Sequence, residues 1–208
     1  MISCSRWTEL TEALKFHVNF ARQASAPSEF RLLNGAPPIR IGMNDSEEAN
    51  RLAALNAILE GSPSGGTPLC RHIREVIVQI RAAEQELRAN GQKACVIIAT
   101  DGEASDGDLV SAMRPLKNLP VWIVVRMCTN QSQIVDYWSA IDKQLELNME
   151  VLDDFQGEAK EIYKHNPWLT YGEPLHRLRE FGVHIKEVDF LDEQRCQLEQ
   201  IRILSHTM

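Results

Sequence analysis

Short apolar runs alternate along the chain with stretches in which apolar residues recur every three or four positions. The longer period is typical of amphipathic helices. It predicts helices near residues 7–21, 46–60, 68–90, 108–118 and 131–145. The short runs predict strands at residues 94–99, 121–125 and 149–152. Helices that separate strands in this way are typical of parallel sheets with right-handed crossovers. The sequence therefore predicts an α/β fold, a doubly wound and mostly parallel sheet of Rossmann-like type with helices on both faces.

Two further regions lie outside this regular alternation. Asn34-Gly35 separates short apolar runs at residues 30–33 and 39–41, which predicts a hairpin. After Phe155 the pattern is looser and predicts three helices and one strand. These helices are expected near residues 158–165, 174–181 and 193–205, and the strand at 183–188. We therefore expect an α/β domain over residues 1–155 and a mainly helical C-terminal extension over 156–208, packed on the same domain.

Composition and charge limit the kinds of partner and the cellular setting that we expect for this chain. The chain has 208 residues with 22 Lys and Arg against 29 Asp and Glu, a net charge of −7. Sequence-independent binding to nucleic acid rests on clustered Lys and Arg, so we expect no nucleic-acid partner. No apolar run is long enough to span a membrane, so we expect no membrane partner. Five cysteines with no CxxC pair fit a cytoplasmic or otherwise intracellular setting, with an upstream targeting segment left open.

The loop after the first long apolar run carries candidate chemistry. It contains four carboxylates, on Asp101, Glu103, Asp106 and Asp108. In open α/β sheets ligands bind at the carboxyl ends of the strands, where Asp101 is expected. Carboxylates at such a place suit a hard divalent cation. The alternative is a solvated loop in which Asp106 or Asp108 only caps the next helix, and we favour that role for these two residues.

The glycine-rich loop before the longest helix is the second candidate. It ends in Gly65-Gly66-Thr67, followed by Pro68. The Lys-Ser/Thr pair of a phosphate-binding loop is absent, so the sequence gives no indication of nucleotide binding. Thr67 is either the cap of the helix or a functional hydroxyl, and the sequence leaves both open.

Gly-Gly-Thr67-Pro-Leu at a helix start, followed about thirty residues later by Val-Ile-Ile-Ala-Thr-Asp101-Gly-Glu, resembles the von Willebrand factor A (vWA) domain family. The resemblance covers roughly residues 1–155, including the opening helix and the hairpin. In that family a metal-ion-dependent adhesion site takes oxygens from Asp-x-Ser-x-Ser after the first strand, a Thr, and a later Asp. The resemblance implies that Thr67 is this Thr and Asp101 this Asp.

The chain also departs from the family pattern. It contains no Asp-x-Ser-x-Ser, and no apolar strand precedes the first helix. Met1 to Trp7 fits the segment that follows the family motif, which indicates an N-terminal truncation. A second register aligns Met1, Ser3 and Ser5 with the motif. In either register the principal carboxylate is missing, so we expect weak or no binding of Mg²⁺ by a partial site of Thr67 and Asp101.

The resulting hypothesis is a vWA-like protein-interaction domain rather than an enzyme. In an intact relative, bound Mg²⁺ accepts an acidic side chain from the partner protein. The alternative is a metal-assisted α/β enzyme that uses the Asp101–Asp108 loop. In the C-terminal extension, Trp168, Tyr171 and Phe181 are expected to pack the extension, with a partner-docking patch as the other interpretation.

Overall fold

A computed structural model describes residues 6–129, 131–182, 188 and 190–207. The chain divides into two compact units. The first comprises Met1–Ala82 and Gly102–Pro115, and the second comprises Ala83–Asp101 and Leu116–Met208.

The first unit contains a β-hairpin and helices. In chain order these are α1 (Arg6–Gln23), β1 (Ser28–Phe30), β2 (Ile39–Ile41), α2 (Glu48–Leu59), the first part of α3 (Leu69–Ala89) and α4 (Leu109–Met113). Strands β1 and β2 pair antiparallel, with Glu29 opposite Arg40. One face of α1 packs with β2 and α2 in a small apolar core. Its buried members are Val18, Ala21, Ile41, Leu55 and Leu59.

The second unit is built on three parallel strands in the order β3-β4-β5. They are β3 (Ala94–Thr100), β4 (Val121–Met127) and β5 (Met149–Leu152). Within the described residues, α5 (Ser132–Leu145) connects β4 to β5, and α6 (Phe155–His165), α7 (Glu173–Glu180) and α8 (Leu198–Thr207) follow β5. Residues after β5 form an apolar core of their own. Its buried members are Ile162, Tyr171, Val188, Leu191, Cys196 and Leu204.

The structure confirms a mixed α/β fold with a three-stranded parallel sheet flanked by helices. The hairpin is also present, although its first strand is Ser28–Phe30 rather than residues 30–33. The helix expected over residues 108–118 is instead α4 followed by a 3₁₀ helix over Arg114–Asn118. Pro115 explains the change, because proline has no N–H for an α-helical hydrogen bond.

The described residues do not test three of the predictions made from the sequence. Of the strand predicted at residues 183–188, only Val188 lies within the described residues, and Met1–Ser5 also lie outside them. The expected boundary at residue 155 stays a prediction. Within the part of the chain that the structure describes, every helix is too short or too polar to cross a membrane.

Strands β3 and β4 differ in burial. In β4, Val121 and the stretch Ile123–Met127 are buried, as expected for a strand covered on both faces. In β3 only Ile98 and Thr100 are buried, and Cys95 is exposed. Among the described residues, β3 pairs with no strand other than β4. Strand β3 therefore has the sequence of a central strand, but within the described residues it has a strand partner on one side only.

Candidate functional site

The Thr67 loop is held by hydrogen bonds within the first unit. The Thr67 N–H donates to Ser105 Oγ over 2.9 Å, and the Ser105 N–H donates to the Thr67 carbonyl over 2.8 Å. Asn34 Nδ2 donates to the Gly66 carbonyl over 2.7 Å. Gly65 has a φ of +92°, which favours glycine, and a Cβ there would overlap the Asn34 side chain. The loop that carries Thr67 therefore has a defined path alongside Ser105.

The start of α3 is capped by Asp106 and not by Thr67. The Asp106 carboxylate accepts from the N–H groups of Cys70 at 2.9 Å and Arg71 at 2.8 Å. Burial opposes ionisation, but these two N–H groups hold the pKa of Asp106 below its usual value. The Thr67 hydroxyl forms no hydrogen bond within the described residues. Of the two roles left open for Thr67, the cap is excluded by the observed geometry, and its hydroxyl is uncommitted.

Asp108 is a helix cap as well. Its carboxylate accepts from the Val110 N–H at 3.0 Å and from the Ser111 hydroxyl at the start of α4. The Ser111 contact is the main reason that the pKa of Asp108 is lowered. The prediction that Asp106 and Asp108 act as caps is thus correct, except that Asp106 caps the preceding helix and not the next one.

Asp101 directly follows β3 in the second unit. The end of β3 is fixed to the segment after β4, because the Cys128 N–H donates to the Thr100 carbonyl over 2.8 Å. The Asp101 side chain is exposed and has no hydrogen bond or ion pair among the described residues. Glu103, which belongs to the first unit, is exposed and equally uncommitted.

These side chains fit a tight Mg²⁺ site poorly. Two of the four carboxylates of the 101–108 segment are taken up by backbone N–H groups. Among the residues that the structure describes, no three His, Cys, Asp or Glu side chains are grouped to hold a metal ion. Tight binding of Mg²⁺ requires several oxygen ligands in near-octahedral geometry. Thr67 and Asp101 remain the residues that the vWA resemblance assigns to a partial site.

A buried charged cluster in the second unit is absent from the sequence predictions. At its centre, Arg179 of α7 contacts three carboxylates. Its guanidinium lies 2.8 Å from Glu150 Oε1, 2.8 Å from Glu158 Oε2 and 3.3 Å from Asp192 Oδ2. Arg179 also donates to the Tyr171 hydroxyl over 3.3 Å. Burial raises the pKa of Glu158 to about 7, and the positive charge of Arg179, which three carboxylates share, lowers it by less.

Glu180 forms the second half of this cluster. It pairs with Arg126 of β4 and with Arg177, and its Oε1 lies 3.3 Å from His176 Nε2. Burial opposes ionisation, but the contacts with His176 and Arg126 hold the pKa of Glu180 well below its usual value. The Tyr171 hydroxyl lies 3.1 Å from His176 Nδ1, which joins the two halves.

One sequence signal could have located this cluster. Arg126 interrupts the apolar run of β4, where a buried charge requires a partner of opposite sign. The identity of that partner is not readable from the sequence, because Glu180 lies 54 positions further along the chain. The members of the buried cluster therefore pair with one another within the second unit.

Comparison with known proteins adds no relative. No family model matches the chain, and no curated protein or solved structure is similar to it at a significant level. The class of protein that the structure itself defines is a mixed α/β protein with a three-stranded parallel sheet. Any narrower assignment rests on the residues and their geometry.

Proposed function

We propose that this protein is a vWA-like interaction domain that binds a partner protein and holds divalent metal weakly or not at all. The observation that carries the proposal is the division of its strands into two sheets. One is the antiparallel hairpin and the other is the parallel sheet β3-β4-β5. In the vWA family the first strand lies between the hairpin and the later strands. A vWA-like chain without that strand would form two separate sheets, with the hairpin before the parallel strands in the sequence.

The state of the two assigned side chains supports the same proposal. The Thr67 hydroxyl and the Asp101 carboxylate form no hydrogen bond or ion pair among the described residues. Both are therefore available to a ligand. The loop of Thr67 is held by two hydrogen bonds with Ser105. The residue before Asp101 is held by the hydrogen bond between the Thr100 carbonyl and the Cys128 N–H. A polar partner group would meet side chains that need not first break an internal contact.

The alternative, a metal-assisted enzyme using the Asp101–Asp108 loop, is less well supported. General acid–base or metal chemistry needs carboxylates that are free to move protons or bind the ion. The carboxylates of Asp106 and Asp108 instead hold the N-termini of α3 and α4. Only Asp101 and Glu103 of this loop remain uncommitted. We therefore propose binding, and not catalysis, as the role of this region.

The decisive experiment adds the parts of the vWA pattern that are missing from this chain. A segment of about 15 residues, an apolar strand followed by Asp-x-Ser-x-Ser, is added before Met1, and Mg²⁺ and Mn²⁺ binding is measured by calorimetry. The unextended chain is expected to bind neither ion more tightly than about millimolar. The extended chain is expected to bind at least tenfold more tightly, and Asp101→Ala or Thr67→Ala should remove the gain.

Glu103→Ala is the matched control, since it removes an exposed and uncommitted carboxylate from the same loop. It should leave the gain intact. An extended chain with no gain in affinity, or a gain that Asp101→Ala leaves untouched, would show that the protein is not vWA-like. A micromolar site in the unextended chain that Asp101→Ala abolishes would refute the proposal of weak metal binding.

A further inference from the structure

A surface pocket of about 450 Å³ in the second unit is lined by three basic side chains, a proline and a tryptophan. These residues are Lys164, His165, Pro167, Trp168 and Arg195, and we call them the basic pocket. Among the described residues, the lining contains no carboxylate, although the protein as a whole has a net charge of −7. Such a local excess of positive charge marks a place where an anionic group would be favoured.

The basic side chains of the pocket are uncommitted. Within the described residues, those of Lys164, His165 and Arg195 form no ion pair and no hydrogen bond, and all three are exposed. Most arginines of this unit behave differently, since each contacts a carboxylate. They are Arg88, Arg126, Arg177 and Arg179. The contrast shows that Lys164 and Arg195 are not part of the unit's internal charge pairing within the described residues.

The aromatic wall of the pocket is held in place by a buried asparagine. Trp168 Nε1 donates to Asn166 Oδ1 over 3.2 Å, so the polar atom of the indole is satisfied from within the protein. About half of the Trp168 side chain remains exposed. An exposed tryptophan anchored by its N–H presents a rigid apolar surface, which is a feature of interface hot spots.

The same asparagine fixes the segment that carries Arg195. Asn166 Nδ2 donates to the carbonyls of Leu191 and Gln194, each over 2.8 Å, and its Oδ1 accepts from the Cys196 N–H over 2.8 Å. Asn166 is fully buried. One residue therefore sets the positions of both Trp168 and the backbone on either side of Arg195. The pocket is preorganised, which lowers the entropic cost of binding.

We infer that the basic pocket binds an acidic peptide segment of a partner protein, with carboxylates at Lys164 and Arg195 and an apolar side chain against Trp168. A nucleotide fits less well, because Lys164 and Arg195 can only donate hydrogen bonds, whereas the edge of a base presents donors as well as acceptors. Here the neighbouring amide, Asn166, and the indole N–H are already paired with each other. The inference is independent of the vWA resemblance, which covers only residues 1–155.

The test measures binding of a fluorescein-labelled peptide with four Asp or Glu residues around one Phe to the full chain by fluorescence anisotropy. We expect saturable binding in low salt that weakens as the salt concentration rises. Lys164→Glu and Arg195→Glu should each weaken binding at least tenfold. Lys143→Glu is the matched control, since it makes the same charge change on an exposed residue of α5 that does not line the pocket, and it should change affinity less than twofold.

Further measurements separate the contribution of charge to peptide binding from the contribution of the apolar contact with Trp168. Replacing the peptide's Phe by Ser should weaken binding at least threefold in the unaltered chain and have no effect in Trp168→Ala, while thermal melts verify that each variant is folded. Competition with adenosine monophosphate should displace the peptide only at concentrations at which inorganic phosphate does so too. Absence of binding up to about 1 mM protein, an equal loss in Lys143→Glu, or preferential displacement by the nucleotide would overturn the inference.

Discussion

The buried carboxyl of Glu158 makes a specific prediction about the pH dependence of stability. Its side chain lies on α6, accepts from the Asp153 N–H over 3.0 Å and contacts Arg179 over 2.8 Å. Burial raises its pKa to about 7 from the ordinary value of 4.5. The charge of Arg179 opposes the rise, whereas the neighbouring carboxylates of Asp192 and Glu150 add to it. The folded state therefore holds a proton here at pH values where the unfolded state has lost it.

The direction in which the free energy of unfolding changes with pH follows from proton linkage. Between pH 4.5 and 7 the folded state binds up to one proton more than the unfolded state at this residue. Its contribution to the free energy of unfolding is therefore present at low pH and is lost as the pH rises through about 7. Since one pKa unit corresponds to about 1.4 kcal/mol, the contribution falls by about 2 kcal/mol between about pH 5 and 7.5.

The assay compares urea unfolding of the unaltered chain and Glu158→Gln at several pH values from about 5 to 7.5. Glutamine does not titrate, so the difference in unfolding free energy between the two proteins should shrink by about 2 kcal/mol across that range. A constant offset from the altered contact with Arg179 does not affect this result. Glu161→Gln, an exposed carboxylate on the same helix, is the control and should show no such trend. A pH-independent difference for Glu158→Gln would refute the reasoning.

Three further substitutions test single contacts by the change in unfolding free energy in urea. Asp106→Ala removes both carboxylate bonds at the start of α3 and should cost about 1–2 kcal/mol. Asn166→Ala leaves several buried backbone groups without a partner and should cost about 3 kcal/mol. Gly182→Ala introduces a Cβ that overlaps Cys95 Sγ at a φ of +87° and should cost at least about 2 kcal/mol.

Each of these substitutions has a matched control. Glu103→Ala, in the same loop as the helix cap, should change stability by less than about 0.5 kcal/mol. Asn90→Ala removes an exposed asparagine whose side chain has no hydrogen bond within the described residues, and should be similarly mild. Gly91→Ala isolates backbone strain, since its φ is +64° with nothing within 4 Å of the added Cβ. Equal losses in a substitution and its control would show that the named contact is not responsible.

The sequence predicted those parts of the fold that depend on local pattern. The apolar runs located β3, β4 and β5, and the three- and four-residue period located α3, because burial of one face imposes that spacing. The division into two compact units was not predicted. It depends on which distant segments pack together, and the pattern of hydrophobic positions carries no information on that pairing.

The candidate site shows the same limit at the level of single residues. Thr67 has the sequence position of a helix cap, just before Pro68, yet the cap of α3 comes from Asp106, which lies 36 positions further along the chain from Cys70. Local statistics describe caps supplied by the preceding residue. They do not describe a cap supplied by a loop that lies far away in the sequence, as Asp106 does for α3.

The buried charged cluster could be predicted only in part. A buried Arg126 demands an anion, because an unpaired charge in an apolar interior is strongly unfavourable. The sequence around α7 offers Glu173, Glu180 and several more distant carboxylates, and nothing in their spacing selects among them. The structure selects Glu180 for Arg126 and uses Glu150, Glu158 and Asp192 for Arg179.

Strand β3 connects these observations to the proposed function. Its sequence from Ala94 to Ala99 is apolar throughout, which is typical of a strand paired on both sides and covered on both faces. Among the described residues it pairs with β4 alone. An apolar strand with an unpaired edge invites a further strand or association between chains. A vWA-like first strand would fill that edge, so addition of the strand should both tighten metal binding and make the protein monomeric and more heat-stable. A gain in only one of these properties would separate the role of the edge from that of the missing carboxylate.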